Sequence, residues 1–152
     1  MILKTKKHNY NLYNTLLYLS RNLYFYNKIK LKDTFETRLY LIFFHFSVIL
    51  TVFKNKKTDF PQENYDDLFH CVENDLRELG FGDVSVNKKM KDMNKIFYDI
   101  LLKINKSNND LKINKKLVLK YFEYFKDSSL DKYDLFAEYF TKFYHFCFEL
   151  NP

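Results

Sequence analysis

The sequence predicts an all-α fold, a single-domain bundle of about six helices spanning residues 1–152. Three observations carry that expectation. Apolar residues recur at helical spacing along most of the chain. No segment of five or more residues alternates strictly with β-branched content, and Val84–Val86 is the only short exception. At 152 residues, with 47% hydrophobic and 20% aromatic content, the chain is long and apolar enough to bury one real core.

The first helix is expected from about Asn11 to Asn27, with Leu12, Leu16, Leu19, Leu23 and Tyr26 along one stripe. Asp33-Thr34-Phe35-Glu36 then reads as a helix start. Asp33 can accept the amide hydrogen of Glu36, and the Glu36 carboxylate can reach back in the manner of a capping box. The second helix runs on to about Lys54 and holds the longest apolar run, Leu39–Phe53. Fifteen helical residues span about 22 Å, short of the roughly 30 Å of bilayer hydrocarbon. His45, Ser47 and Thr51 also interrupt the run. It is therefore read as a central helix buried nearly all round, with His45 hydrogen-bonded inside the core among Phe43, Phe44 and Phe46.

Pro61 fits the first position of a third helix, where its missing N–H costs nothing. Tyr65, Leu68, Phe69, Val72, Leu76 and Leu79 line one face of that helix, and acidic residues line the other. Gly80 is expected to stop it at positive φ. Gly80 and Gly82 are the only glycines in the chain. Gly82 is read as a second positive-φ residue or as a point of close backbone approach. A fourth helix is placed from about Ser85 or Asn87, capped by Asp83 or Ser85. Its apolar stripe runs from Val86 to Ile104, and Lys88, Lys89, Lys91 and Lys95 form its wet face. Residues 105–110, NKSNND, read as a polar linker. Two more helices, about Asn114–Phe125 and Asp131–Glu149, complete the chain.

The net charge of +6 is unevenly spread. Residues 1–32 carry +7 with no acid, residues 59–83 carry −7, and residues 84–126 carry +7. Signatures of catalysis are missing. There is no phosphate loop, dinucleotide fingerprint, H-E-x-x-H or G-x-S-x-G. His8, His45, His70 and His145 lack metal-ligand spacing. The carboxylates of the third helix are too many and too evenly spread to form a catalytic pair. No metal, cofactor or small-molecule substrate is expected, and the chain is read as a non-enzyme. Cys71 and Cys147 form no C-x-x-C pair and are read as free thiols in a reducing compartment. The N-terminus, with its apolar stretch broken by Asn residues and Arg21, is not read as a secretory signal.

Over residues 12–104 an ordered set of motifs resembles the ubiquinol–cytochrome c chaperone family. It opens with Leu12-Tyr13, Arg21 and Phe25-Tyr26, and continues through Asp33-Thr34 and Arg38 to a helical His45. It resumes at Asp75, Leu76, Arg77, Glu78, Gly80, Gly82, Asp83 and Val86, then closes with Lys88, Lys91 and Phe97-Tyr98. Asp99 departs from the glycine that the family usually has there, and the C-terminal third matches only as helical, aromatic-rich sequence.

The resemblance implies an assembly chaperone that binds newly synthesised cytochrome b, of the alphaproteobacterial type. It would sit in the bacterial cytoplasm, peripheral at the inner membrane, or on the matrix side in an organelle. It allows a small partner subunit. It also implies Arg38, His45, Gly82, Asp83, Lys88, Lys91, Phe97 and Tyr98 as partner-binding positions, with Gly80 and Asp33 shaping turns.

The acid-free N-terminal block suggests a further role. Lys4, Lys6, Lys7, Arg21, Lys28, Lys30 and Lys32 are expected to tether the protein to ribosomal RNA or to anionic lipid. Two rival readings remain at this level. One is a basic helical nucleic-acid-binding module, and the other a structural interaction protein with an inert basic arm.

Overall fold

A computed structural model describes residues 11–107, 110–122 and 130–150. Among the described residues six α-helices occur in chain order: α1 (Asn11–Ser20), α2 (Phe35–Asn55), α3 (Gln62–Glu78), α4 (Asp83–Lys103), α5 (Lys115–Tyr121) and α6 (Leu130–Glu149). A π-helical turn, Tyr24–Lys28, follows α1. Two short strands, β1 (Asn105–Ser107) and β2 (Asp110–Lys112), lie between α4 and α5. The all-α expectation holds. The central helix is α2, which packs against α1, α4 and α6, while α3 bridges α1 and α4.

Every residue of α2 from Leu41 to Val48 is buried, so neighbours surround that stretch on all sides. The length argument against a membrane span does not survive, because the helix has 21 residues and reaches about 31 Å. It is long and apolar enough to cross a membrane by composition, yet 61% of its apolar window is buried inside the bundle. Its partners are largely aromatic. Phe43 and Phe46 meet Phe97, whose ring also contacts Phe69 and Tyr65. Phe44 meets Phe122, Phe136 and Phe140.

The first helix is shorter than its apolar stripe predicts, ending at Ser20. The Asn22 side chain accepts the Tyr24 N–H at 3.0 Å and so competes with the helical ladder. Tyr26 O–H donates to the Ser20 carbonyl at 2.7 Å, closing the frayed end. The chain then turns and drives Phe25 into the core against His45, Tyr139 and Phe140.

Asp33 is not the cap of α2. Thr34 is, in extended backbone, with its hydroxyl accepting the Thr37 N–H at 3.1 Å. Asp33 lies one residue too early to reach that amide and pairs with Arg38 at 3.6 Å instead. Pro61 likewise sits one position outside α3, and its carbonyl accepts from Asn64 and Tyr65.

Residues 105–110 are expected as a plain linker, but β1 pairs antiparallel with β2, Asn105 opposite Lys112 and Ser107 opposite Asp110. The signal was the two-residue alternation that continues past the hairpin, with Leu111 and Ile113 buried and Lys112 exposed. The Asn114 side chain caps α5 by accepting the Lys116 N–H at 2.8 Å. The stretch 123–125, expected to continue this helix, lies outside the described residues.

Asp99, the departure from the family pattern, ties α4 to α5. It accepts from Lys103 at 2.7 Å and Lys120 at 2.9 Å, and from the Tyr121 hydroxyl. Burial opposes its charge, but these three donors outweigh burial and hold the carboxyl well below the usual carboxylate range.

The end of α3 satisfies its last carbonyls locally. Gly80 N–H donates to the Arg77 carbonyl at 3.0 Å and Phe81 N–H to the Leu76 carbonyl at 3.4 Å, a Schellman pattern. Gly80 has φ of 97°, as the sequence predicts, although a Cβ there would meet nothing within 4 Å. The cost of a side chain is therefore backbone strain alone. Gly80→Val is expected to lower stability by about 1–2 kcal/mol. A thermal melt matching the parent protein would contradict this.

Gly82 is different. Its φ is −75° with ψ of 169°, and a Cβ there would also meet nothing within 4 Å. It is neither a positive-φ residue nor a close approach, and it serves as the N-cap of α4 through its carbonyl, which accepts the Val86 N–H at 2.8 Å. The helix therefore begins at Asp83, two residues before the earliest predicted start.

Candidate functional site

Three helices converge on a cleft of about 410 Å³. From α1 and the residue after it come Tyr13, Leu17 and Arg21, at intervals of four that place them on one side. From α2 come Phe35, Arg38, Leu39 and Ile42, and from the end of α3 come Asp75, Glu78 and Leu79. Leu17, Leu39 and Ile42 make the lining apolar, while Arg21 and Arg38 face Asp75 and Glu78 across it. Tyr13 O–H donates to the Asp75 carboxylate, closing the cleft between α1 and α3.

Burial pushes the Asp75 carboxyl above its usual range, and Glu78 adds to that; the Tyr13 hydrogen bond and the two guanidiniums pull the other way. Burial also raises the Tyr13 hydroxyl, with Asp75 reinforcing it. This arrangement presents positive and negative walls around an apolar floor. Among the described residues no group of three or more His, Cys, Asp or Glu could hold a metal ion.

The cleft opens onto the α3–α4 turn through Leu79. There Leu79 is 55% exposed, Phe81 36% and Val84 85%. Arg77 clasps the turn from below, bonding Glu73 at 3.0 Å and also Asp83. Asp83 is the first residue of α4, where a negative charge suits the helix N-terminus. The Lys89 ammonium lies 4.5 Å from the centre of the Phe81 ring. The turn is thus held rigid by polar contacts while its apolar side chains face outward.

The expected site residues fall into three groups. Arg38 lines the cleft, and Gly80, Gly82 and Asp83 build the turn beside it. Lys88 and Lys91 are exposed along α4, and Tyr98 is 47% exposed with its hydroxyl 3.1 Å from that of Tyr65. His45 and Phe97 are fully buried, so the structure places them in the core and not at a surface.

The His45 Nδ1–H donates to the Leu41 carbonyl at 2.6 Å, and Tyr139 O–H donates to Nε2 at 2.7 Å. Of the basic block, Lys4, Lys6 and Lys7 lie outside the described residues. Arg21, Lys28, Lys30 and Lys32 are exposed, but their segment is folded onto the core through Leu16, Phe25, Ile29 and Leu31, so from residue 11 it is no extended arm.

Sequence reasoning did not single out Tyr13, Asp75 or Glu78 as a site. All three stand in the motifs that carried the resemblance, and the signal was there: polar residues recurring in motifs 62 positions apart, which the fold brings into contact.

No curated protein and no solved structure matches the chain. A family model described as ubiquinol-cytochrome C chaperone matches residues 27–121, more than half of the sequence. The matched region holds Arg38, Asp75, Glu78, the whole α3–α4 turn and α4, while Tyr13 and Arg21 precede it. The chain belongs to the ubiquinol–cytochrome C chaperone family.

Proposed function

We propose that this protein is a non-enzymatic assembly chaperone that captures newly made cytochrome b while the ubiquinol–cytochrome c reductase is built. Family membership supports the chaperone role. The observation that carries the reading is the cleft of Tyr13, Arg21, Arg38, Asp75 and Glu78 opening onto the exposed Leu79, Phe81 and Val84. A client rich in apolar helices needs apolar contact, and exposed aliphatic and aromatic side chains on a fixed turn supply it. The charged walls of the cleft add orientation, because a polar segment of the client can pair with either side.

Gly82 fits the same reading. The fold does not require its missing side chain, and the bare backbone leaves room for a partner. The protein would work where the client emerges, on the cytoplasmic face of the inner membrane or the matrix face in an organelle. Neither a cofactor nor a small-molecule substrate enters this function.

The test is co-purification of cytochrome b with the tagged chain. Leu79→Ser combined with Val84→Ser, and separately Arg38→Glu, should each cut recovery about fivefold or more. The melting temperatures should stay within a few degrees of the parent, since the side chains are exposed or partly exposed. Undiminished recovery from both variants would contradict the assignment.

A further inference from the structure

A second surface lies on a different side of α1. Where α1 presents Tyr13 and Leu17 to the cleft, Leu19 lines a groove of about 410 Å³ shared with Tyr24 of the π-helical turn and with Tyr139, Phe143 and Phe146 of α6. Phe146 of this lining is 62% exposed, and Tyr18 and Leu23, the sequence neighbours of the lining residues Leu19 and Tyr24, are 79% and 67% exposed. The Tyr24 and Tyr139 rings stack at 6.0 Å along the groove, so its floor is aromatic and rigid.

The charge around this groove is net positive. Glu138 is the one acid in its lining, and Lys142 neutralises it at 2.9 Å. Lys28 acts on the same carboxylate, so two ammonium groups answer one carboxylate at the rim. Lys30 and Lys32 follow Lys28 in the same segment, and residues 11–32 contain no acid.

We infer that this face docks on an anionic lipid bilayer, with Tyr18, Leu23 and Phe146 entering the interfacial layer and Lys28 and Lys142 meeting the lipid phosphates. Two features favour a bilayer. Tyr and Phe beside lysine make up the composition that settles at a membrane–water interface, with the ring in the apolar layer and the polar tip or cation in the wet one. Lysines near the surface of an anionic leaflet are attracted to it, and buried apolar tips add to that attraction. A nucleic-acid duplex would use the cations alone, and even stacked bases would leave the aliphatic Leu23 without a partner.

Flotation of the purified chain with vesicles tests this without any client, so its result is independent of cytochrome b capture. The vesicles are pure phosphatidylcholine, or phosphatidylcholine with about 30% phosphatidylglycerol, at about 50 and 300 mM salt. The expected result is binding to the anionic vesicles that weakens as salt rises. Leu23→Ser combined with Phe146→Ser should reduce it about tenfold, and Lys28→Glu should reduce it at low salt. Leu102→Ser, 77% exposed on α4 and away from this groove, should bind like the parent. Circular dichroism melts confirm that each variant is folded. The inference is overturned if anionic vesicles are not bound, if the two vesicle types bind equally, or if the Leu23/Phe146 variant binds as well as the parent.

Discussion

Replacing Phe97 with alanine is expected to lower the unfolding free energy by about 3–5 kcal/mol. The ring is fully buried at the crossing of α2, α3 and α4. It stacks on Phe46 at 5.4 Å and contacts Phe43 at 5.6 Å and Phe69 at 5.4 Å. Truncation removes the transfer free energy of the ring and leaves a cavity that three other rings cannot close without leaving their rotamers. Its neighbour in sequence behaves differently. Tyr98 is 47% exposed and loses one hydroxyl contact to Tyr65, so Tyr98→Ala should cost about 1 kcal/mol or less. Urea unfolding of both variants separates the pair, and equal losses would contradict this division of the motif.

Acidification from pH 7 to pH 5 is expected to cost about 2 kcal/mol of stability through His45. Burial pushes the imidazole down from 6.5 to about 4, against a smaller opposing effect of the Leu41 carbonyl. The neutral ring is fully satisfied, donating through Nδ1 and accepting at Nε2 from Tyr139. Protonation would force Nε2 to donate, leaving the Tyr139 hydroxyl proton without its acceptor and a charge among Phe25, Phe140 and Phe143.

The unfolded chain takes up a proton near pH 6.5 that the folded chain refuses until about pH 4. Stability is therefore full above the unfolded value and falls as pH drops through that window. Asp75, raised by burial, acts with the opposite sign in the carboxylate range. Asp99, held low, loses its contribution only as pH falls below the ordinary carboxylate value of about 4. His45→Gln should flatten the slope between pH 7 and 5, and an unchanged slope would show that His45 is not its source.

The helices of this fold were legible because their apolar stripes are long and their periods clear, and Gly80 was legible because a helix stop at positive φ has few other solutions. Two boundaries failed where a short polar side chain competed for a backbone group. Asn22 broke α1, and Thr34 took the capping role from Asp33. The hairpin was hidden because each strand is only three residues long.

The site was legible only as a set of scattered motif residues. Spacing within α1 or α3 says which residues share a face, but not that the Tyr13 hydroxyl meets the Asp75 carboxylate 62 residues away. The apolar stripe of α4 does turn Phe97 toward the core, while the resemblance groups it with Tyr98 as a partner position; the structure buries Phe97 and leaves Tyr98 47% exposed.

The most direct test of the chaperone assignment is site-specific photo-cross-linking during synthesis of cytochrome b. A photoreactive phenylalanine derivative at Val84, 85% exposed on the turn, probes the proposed contact. The same group at Lys116, exposed on α5, probes a surface outside it. A cross-link to cytochrome b is expected from position 84 and none from position 116. No cross-link from 84, or equal cross-linking from both positions, would contradict the assignment.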